Sequence, residues 1–292
     1  MKIVATSCCK LQSTQPQPVW AEIQALQPDA LFLMGDNIYL DHDHHSDSAR
    51  LGDELAQLYR AQLAEPNFAA LLTSMRQRKA LVSAIYDDHD FIGNNRYGGD
   101  VSPALREAAR SALIEAFRPT QTGGDVYRVH RTPLVDIVVL DARFYRHAPS
   151  ICHEGRDGML GGRQWQWFEQ VVQASVARYL MVVSSTTFHT FGDESWEQYP
   201  QAFDRMRQLL AARAGAFIVS GDVHRNALYD DSGVIEVVTS AVARNGIVFG
   251  SPRKNYGVFT FTDDAMRVEL RSLKSAWRFD VTVPRQGQWA LP

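Results

Sequence analysis

Ala30-Leu31-Phe32-Leu33-Met34, running directly into Gly35-Asp36-Asn37-Ile38-Tyr39, is the stretch on which the fold turns. A short unbroken apolar run closed by glycine reads as a buried strand. The Gly-Asp pair that follows places a carboxylate just beyond its carboxyl end. Gly35 lets the backbone come close to a bound ion. By itself such a pair is often no more than a turn. It gains meaning because the same arrangement recurs along the chain.

Working outward, Ile3-Val4-Ala5-Thr6-Ser7 leads to Cys8, and Leu81-Val82-Ser83-Ala84-Ile85-Tyr86 leads to Asp87-Asp88-His89-Asp90. Ile137-Val138-Val139-Leu140 leads to Asp141-Ala142-Arg143, and Phe217-Ile218-Val219-Ser220 leads to Gly221-Asp222-Val223-His224. Between them the periodicity and the prolines predict helices over 19–27, 51–72 with a break near Pro66, 103–117, 163–175 and 201–213. Further strands are expected over 127–131, 134–140, 179–184, 234–239, 258–262 and 266–272. Early β-α alternation with a strand-rich tail predicts an α/β sandwich, with one mixed sheet and one more antiparallel. No repeat or linker divides the chain, so residues 1–292 are expected to form a single domain.

The composition narrows the function. Thirty Lys and Arg against thirty-three Asp and Glu leave a formal charge of −3, which supplies neither a nucleic-acid-binding field nor an acidic tail. The longest apolar runs are strand-sized, so no membrane insertion is expected. Ala5-Thr6-Ser7-Cys8 faintly resembles a lipoprotein cleavage site, but Ile3-Val4-Ala5 falls far short of the roughly 7–15 apolar residues of a signal peptide. Three cysteines cannot make a disulfide framework. A reducing, cytoplasmic setting is the simplest reading.

In open α/β sheets the ligand site lies outside the carboxyl ends of the strands. These strand ends therefore bring carboxylates, imidazoles, an arginine and a thiol to one edge. Like charges packed so closely repel unless a cation neutralises them, and a metal site is the economical explanation. Gly221-Asp222-Val223-His224 can converge a carboxylate and an imidazole on one ion. Asp87-Asp88-His89-Asp90, followed by Asn94-Asn95, is costly to hold together without a cation. The loop Asp41-His42-Asp43-His44-His45 lacks flanking strand residues and reads as a rim. Cys152 and His153 carry no motif, and Trp165 and Trp167 read as core.

Taken in order, Ser7-Cys8, Gly35-Asp36-Asn37-Ile38-Tyr39, Asp87-Asp88-His89-Asp90-Phe91 with Asn94-Asn95, Leu140-Asp141-Ala142-Arg143-Phe144-Tyr145-Arg146 and Ser220-Gly221-Asp222-Val223-His224 resemble the PhoD-like alkaline phosphatase family. Leu160-Gly161-Gly162-Arg163-Gln164-Trp165 is similar to a further family segment, and the resemblance extends from Cys8 to about residue 240. It implies a metallophosphatase-type α-β-β-α sandwich of two mixed sheets flanked by helices, related to calcineurin-like and purple acid phosphatases. It also implies hydrolysis of phosphomonoesters or phosphodiesters; as a departure from the family pattern, the single domain is expected to lack the N-terminal β-rich domain that members often carry. Two or more metal ions are implied, iron plus calcium by resemblance, with other divalent metals possible.

Carried over residue by residue, Cys8, Asp36, Asp222 and His224 look like metal ligands. Tyr39 matches the tyrosine of the Gly-Asp-x-x-Tyr motif, and Tyr59 competes for that role. Asp88 takes the place of an asparagine ligand, and Asn94 looks like a second ligand from the same loop. His89 is similar to the histidine beside the leaving group, and Arg143 and Arg146 look like phosphate binders.

The physical chemistry runs parallel to that resemblance. Paired cations sharing Asp36 would clamp a phosphate oxygen, and a metal brings the pKa of bound water from about 15.7 toward about 7. Thiolate and phenolate donors favour iron over magnesium. A guanidinium fork suits phosphate, and a protonated His89 could protonate the departing alkoxide. Two other readings are a metal-binding regulatory or scaffold module and a metal-dependent hydrolase of non-phosphate esters.

Overall fold

Successive side chains along the strands turn to opposite faces and sort into three apolar layers. In the computed structural model, which describes residues 1–11, 16–40, 47–118, 124–189, 194–231, 233–243, 254–273 and 279–284, β1 (Lys2–Thr6) turns Ile3 and Ala5 to one layer and Val4 to another. β2 (Ala30–Met34) does the same, with Ala30, Phe32 and Met34 on one side and Leu31 and Leu33 on the other. Both faces of a continuous apolar strand are thus covered, as parallel sheets require.

The first sheet has six strands in the order β12-β11-β10-β1-β2-β3, where β3 is Leu81–Ile85, β10 Asn255–Phe261, β11 Ala265–Ser272 and β12 Phe279–Pro284. β1, β2 and β3 run parallel, Ile3 opposite Ala30 and Ala30 opposite Leu81. β10 joins β1 antiparallel, so the strand-rich tail extends this sheet. The second sheet has the order β4-β5-β6-β7-β9-β8, with β4 Arg128–Arg131, β5 Val135–Val139, β6 Tyr179–Val183, β7 Ala216–Ser220, β8 Asn226–Asp231 and β9 Val234–Thr239. Its centre is parallel and its two edges antiparallel. Both sheets are mixed.

Four helices cover the outer face of the first sheet: α1 (Val19–Ala25), α2 (Ser48–Leu63), α3 (Pro66–Gln77) and α4 (Pro103–Phe117). Trp20, Leu55, Leu71 and Leu113 meet Val4, Leu31 and Leu33 there. Local chemistry sets their starts. The Asp47 side chain accepts from the Ala49 and Arg50 amides, and Ser102 accepts from Leu105 with Pro103 in the first turn. Two more helices, α5 (Gly161–Ala174) and α6 (Pro200–Ala211), pack Trp165, Phe168, Met206 and Leu210 against Val182 and Ile218 of the second sheet. The layer between the sheets joins Ile3, Phe32 and Met34 to Ile137, Met181 and Phe217. The result is the α-β-β-α sandwich of the sequence reading.

One polar staple closes the seam between the sheets. Arg128, on β4, donates from Nε (3.1 Å) and Nη2 (2.7 Å) to Ser83 Oγ, from Nη2 to the Ala84 carbonyl (2.6 Å) and from Nη1 to the Val126 carbonyl (2.6 Å). Ser83 and Ala84 belong to β3, so a single side chain ties an edge of each sheet together.

Candidate metal centre

The strand ends gather their polar residues by means of unusual backbone. Cys8, Asp36, Asp222 and His224 all take positive φ, at 61°, 51°, 69° and 52°. Left-handed conformations of non-glycine residues carry strain and cluster at functional sites. Here each lies just past β1, β2 or β7 and turns its side chain into the cleft between the sheets. Two glycines let those turns nest. A Cβ on Gly35 (φ 100°) would lie 2.5 Å from Asp87 Cβ, and one on Gly221 would lie 2.5 Å from Ser7 Oγ.

The ligand-type atoms form a connected array. Those of Cys8, Asp36 and His224 lie within 4.8 Å of one another, as do those of Asp36, Asp88 and His89, and those of Asp87, Asp88 and Asp222. Asp36 belongs to the first two groups and Asp88 to the last two. The Cys8 thiol stands 3.5 Å from Asp36 Oδ2 and 3.1 Å from Ser240 Oγ. The Tyr39 hydroxyl donates to Asp36 Oδ2 at 2.9 Å and lies 3.5 Å from His224 Nε2. The His89 amide donates to Asp36 Oδ1 (3.3 Å), its ring centroid is 4.3 Å from that of Tyr39, and the Asn95 amide donates to Asp88 Oδ2 (2.7 Å). Asp87 Oδ2 and Asp88 Oδ1 are buried oxygens without a hydrogen-bond partner. Buried carboxylate oxygens left in that state are costly unless a cation meets them.

The electrostatics agree. Burial pushes the Asp36 carboxyl well above the usual carboxylate range, and Asp88 and Asp87 push it further. Asp222 is raised by burial and by the same two neighbours. Burial and then Asp36 raise the Cys8 thiol. Mutual repulsion of this kind is what bound cations relieve. The donor set fits them: sulfur, phenol and imidazole at one end suit a softer ion, and carboxylates at the other suit a harder one.

A family model for PhoD-like phosphatases matches residues 3–275. The chain belongs to that family. Among solved structures it is similar to PhoD, at 16% identity and TM-score 0.75 over 100% of this chain and 71% of that one. It is also similar to a dimetal phosphatase from Danio rerio, at 11% identity and TM-score 0.62 over 98% and 99% of the two chains. A third similar structure is GAP50, the anchor in the inner membrane complex of Plasmodium, at 11% identity and TM-score 0.55 over 96% and 87%. These three likenesses share the fold. No curated protein matches the sequence.

Of the residues expected from the sequence of this PhoD-like chain, Cys8, Asp36, Tyr39, Asp88, His89, Asp222 and His224 are brought together. Tyr59 bonds to Asp90: it lies on α2, its ring packs in the outer apolar layer, and its hydroxyl donates to Asp90 Oδ2 at 3.3 Å. Asn94 is exposed, and its amide donates to Asn95 Oδ1. Arg143 and Arg146 are buried at the rim of the array. The loop from Asp41 to His45 lies outside the described residues. Trp165 is core, edge-on to Trp196, while Trp167 is partly buried against Tyr127. The Cys152 thiol is free and only partly exposed.

Sequence reasoning missed the supporting residues. Asp90 accepts from the amides of Asp36 (3.0 Å), Asn37 (2.9 Å) and Asp87 (2.6 Å), and so clamps two strand ends together. Its presence in the Asp87-Asp88-His89-Asp90 run was visible, but not its inward aim. Asp87 pairs with Arg143 at 2.6 Å and offers a ligand atom beside Asp88 and Asp222. Ser240, at the end of β9, contacts Cys8 and accepts from the His224 amide (3.3 Å). Glu194 faces both arginines, and no local motif announces it.

Proposed function

We propose that this chain is a metal-dependent phosphoesterase that hydrolyses phosphomonoesters or phosphodiesters. The observation that carries this reading is the array linking Cys8, Asp36 and His224 to Asp88 and Asp222, with two buried arginines beside it. Cys8, Asp36, Tyr39 and His224 would hold one cation, which we assign to iron. Asp36, Asp88 and Asp222 would hold a second, which we assign to calcium, with Asp87 and His89 within the same array. When bound, the cations supply Lewis-acid stabilisation of phosphoryl charge and an acidified water. Tyr39 is favoured over Tyr59 as the phenol because its hydroxyl already contacts Asp36.

The chain's own residues do the rest. Asp36, held by its bond from the His89 amide, orients the two halves of the array. His89 lies against Tyr39 and beside Asp88, where a protonated imidazole can give its proton to the departing alkoxide. Arg143 and Arg146 hold and orient the phosphate oxygens. We further propose that residues 1–292 act as a single catalytic domain. No helix among the described residues is long and apolar enough to cross a membrane, and three free cysteines support a cytoplasmic setting.

The test is a panel of p-nitrophenyl phosphate, bis-p-nitrophenyl phosphate and a p-nitrophenyl carboxyl ester, each with and without chelator, alongside elemental analysis. Chelator-sensitive turnover of either phosphoester by a metal-containing protein is expected. Turnover of the carboxyl ester alone would assign a non-phosphate hydrolase, and metal without turnover a binding or scaffold module.

A further inference from the structure

The phosphate-binding arginines assigned above are already occupied by an anion of the protein's own. Arg143 is 0% exposed and its nitrogens are all engaged. Nε donates to Asp87 Oδ1 at 2.6 Å, while Nη1 and Nη2 fork onto the two oxygens of Glu194 at 2.6 and 3.3 Å. Arg146 gives Nε to the Tyr199 hydroxyl and Nη2 to the Glu194 carbonyl. Its remaining nitrogen, Nη1, is buried without a hydrogen bond and lies 3.7 Å from Glu194 Oε1. The two guanidinium groups thus make a seat for a two-oxygen anion, with one donor still unmet.

A carboxylate forked onto a guanidinium uses the same pair of N–H directions as a phosphate. Both anions cannot sit there together. The Glu194 side chain is 13% exposed and Arg143 is fully buried, so an anion arriving from solvent meets Glu194 first. The Glu194 backbone is tethered from behind: its carbonyl accepts from Thr186 Oγ1 (3.0 Å) as well as from Arg146. Only the side chain has to swing for the seat to open, and Arg143 then still keeps Asp87.

We infer that Glu194 is an internal competitor, a carboxylate that holds the arginine seat and that a substrate or product phosphate group must displace. This inference rests on the phosphoesterase reading and adds a cost shared by every phosphate ligand of the site. Glu194 thereby weakens inorganic phosphate as well as substrate, which limits inhibition by product.

The experiment is calorimetric titration of inorganic phosphate into metal-loaded wild type, Glu194→Gln, Glu194→Ala and Glu194→Asp, with KM and kcat for p-nitrophenyl phosphate measured beside it. Gln and Ala remove the competing charge, and Asp keeps the charge but is a methylene too short to fork onto Arg143. All three are expected to bind phosphate about tenfold more tightly, with KM falling in step and kcat changing less. Unchanged or weaker phosphate binding in Gln and Ala would overturn the inference and leave Glu194 as a brace for Arg143, as would phosphate binding to none of the proteins. Tightening in Gln and Ala but not in Asp would also overturn it, because a general field rather than an occupied seat would then be at work. The titration needs no turnover, so a failure of the phosphoesterase reading shows separately, as wild type inactive on every phosphoester.

Discussion

Arg128 and Arg143 are both buried to 1% exposure or less, and their surroundings could hardly differ more. Arg128 gives its three nitrogens to one hydroxyl and two carbonyls, with no carboxylate among its hydrogen-bond partners. Burial alone draws its pKa down, to about 10. Arg143 sits among Asp87, Asp88 and Glu194, and although burial works against its charge, those three carboxylates more than restore it. The seam around Arg128 is a closed hydrogen-bond account that joins the sheets. The strand-end cleft around Arg143 leaves buried carboxylate oxygens unmet and carries raised carboxyl pKa values. Stability is settled in one region, and unfinished chemistry is kept in the other.

The largest expected effect falls on the cleft. Asp36→Ala and Asp222→Ala should each lower phosphoesterase activity by more than about a thousandfold and lose bound metal, because each removes an assigned ligand from the array. Circular dichroism should stay that of the native fold, since removing a crowded carboxylate relieves repulsion. Full activity and metal content in both variants would remove the assigned centre.

Exchanging the two arginines tests the comparison itself. Arg143→Ala should lower kcat/KM by about 10² to 10³ through loss of charge stabilisation at the phosphoryl group. Arg128→Ala should leave kcat/KM within about twofold of wild type yet cost roughly 2–4 kcal/mol of stability, since Ser83 and two carbonyls lose their donor around a new cavity. Equal kinetic losses in both would show that the seam also serves the site.

The same contrast bears on what was legible in the sequence. Strand ends such as Leu33-Met34-Gly35-Asp36 and Val219-Ser220-Gly221-Asp222 announce themselves because apolar run, glycine and acid are adjacent in the chain. β9 was found with its full bounds, Val234–Thr239. β8 and β12 were missed. β8 reads Asn-Ala-Leu-Tyr-Asp-Asp with no clear alternation, and both are edge strands with one neighbour to satisfy. The strand-rich tail points to one sheet more antiparallel than the other, without saying which strands join which sheet. β10 pairs with β1, a contact across some 250 residues that no local pattern encodes. Glu194 and Arg128 were invisible for the same reason: their partners at Arg143 and Ser83 are distant in sequence.

A smaller effect concerns pH. Burial lifts Asp90 to about 7 against three opposing amide donors, and lifts Asp87 to about 6 against Arg143. Asp88 behaves oppositely: burial raises it, but Arg143 and His89 hold it at about 2. Between roughly pH 4 and 7 the folded, metal-free protein therefore binds more protons than the unfolded chain, and its stability falls as pH rises through that window. Asp88 contributes only below it. The metal-free melting temperature should be several degrees higher near pH 5.5 than near pH 8, and adding metal at pH 8 should recover the difference as cations replace protons. A metal-free melting temperature that climbs with pH would contradict the crowding of carboxyls described here.

The subtlest test separates the two tyrosines, which the sequence left in competition. Tyr39 touches the array, with its hydroxyl 2.9 Å from Asp36 Oδ2 and 3.5 Å from His224 Nε2. Tyr59 faces the clamp, hydrogen-bonded to Asp90 from within the helical layer, and burial together with Asp90 raises its pKa well above the usual phenol value. The Tyr59 hydroxyl is thus committed to the clamp, whereas that of Tyr39 is aimed at the array. Tyr39→Phe should therefore weaken metal retention about tenfold during dialysis against a mild chelator, with little change in melting temperature of the metal-free protein. Tyr59→Phe should do the reverse, costing about 1 kcal/mol of stability through the lost bond to Asp90 while metal content stays at the wild-type level. If Tyr59→Phe loses metal and Tyr39→Phe does not, the phenol ligand comes from α2, and the boundary between the supporting clamp and the reactive cleft moves outward by one residue.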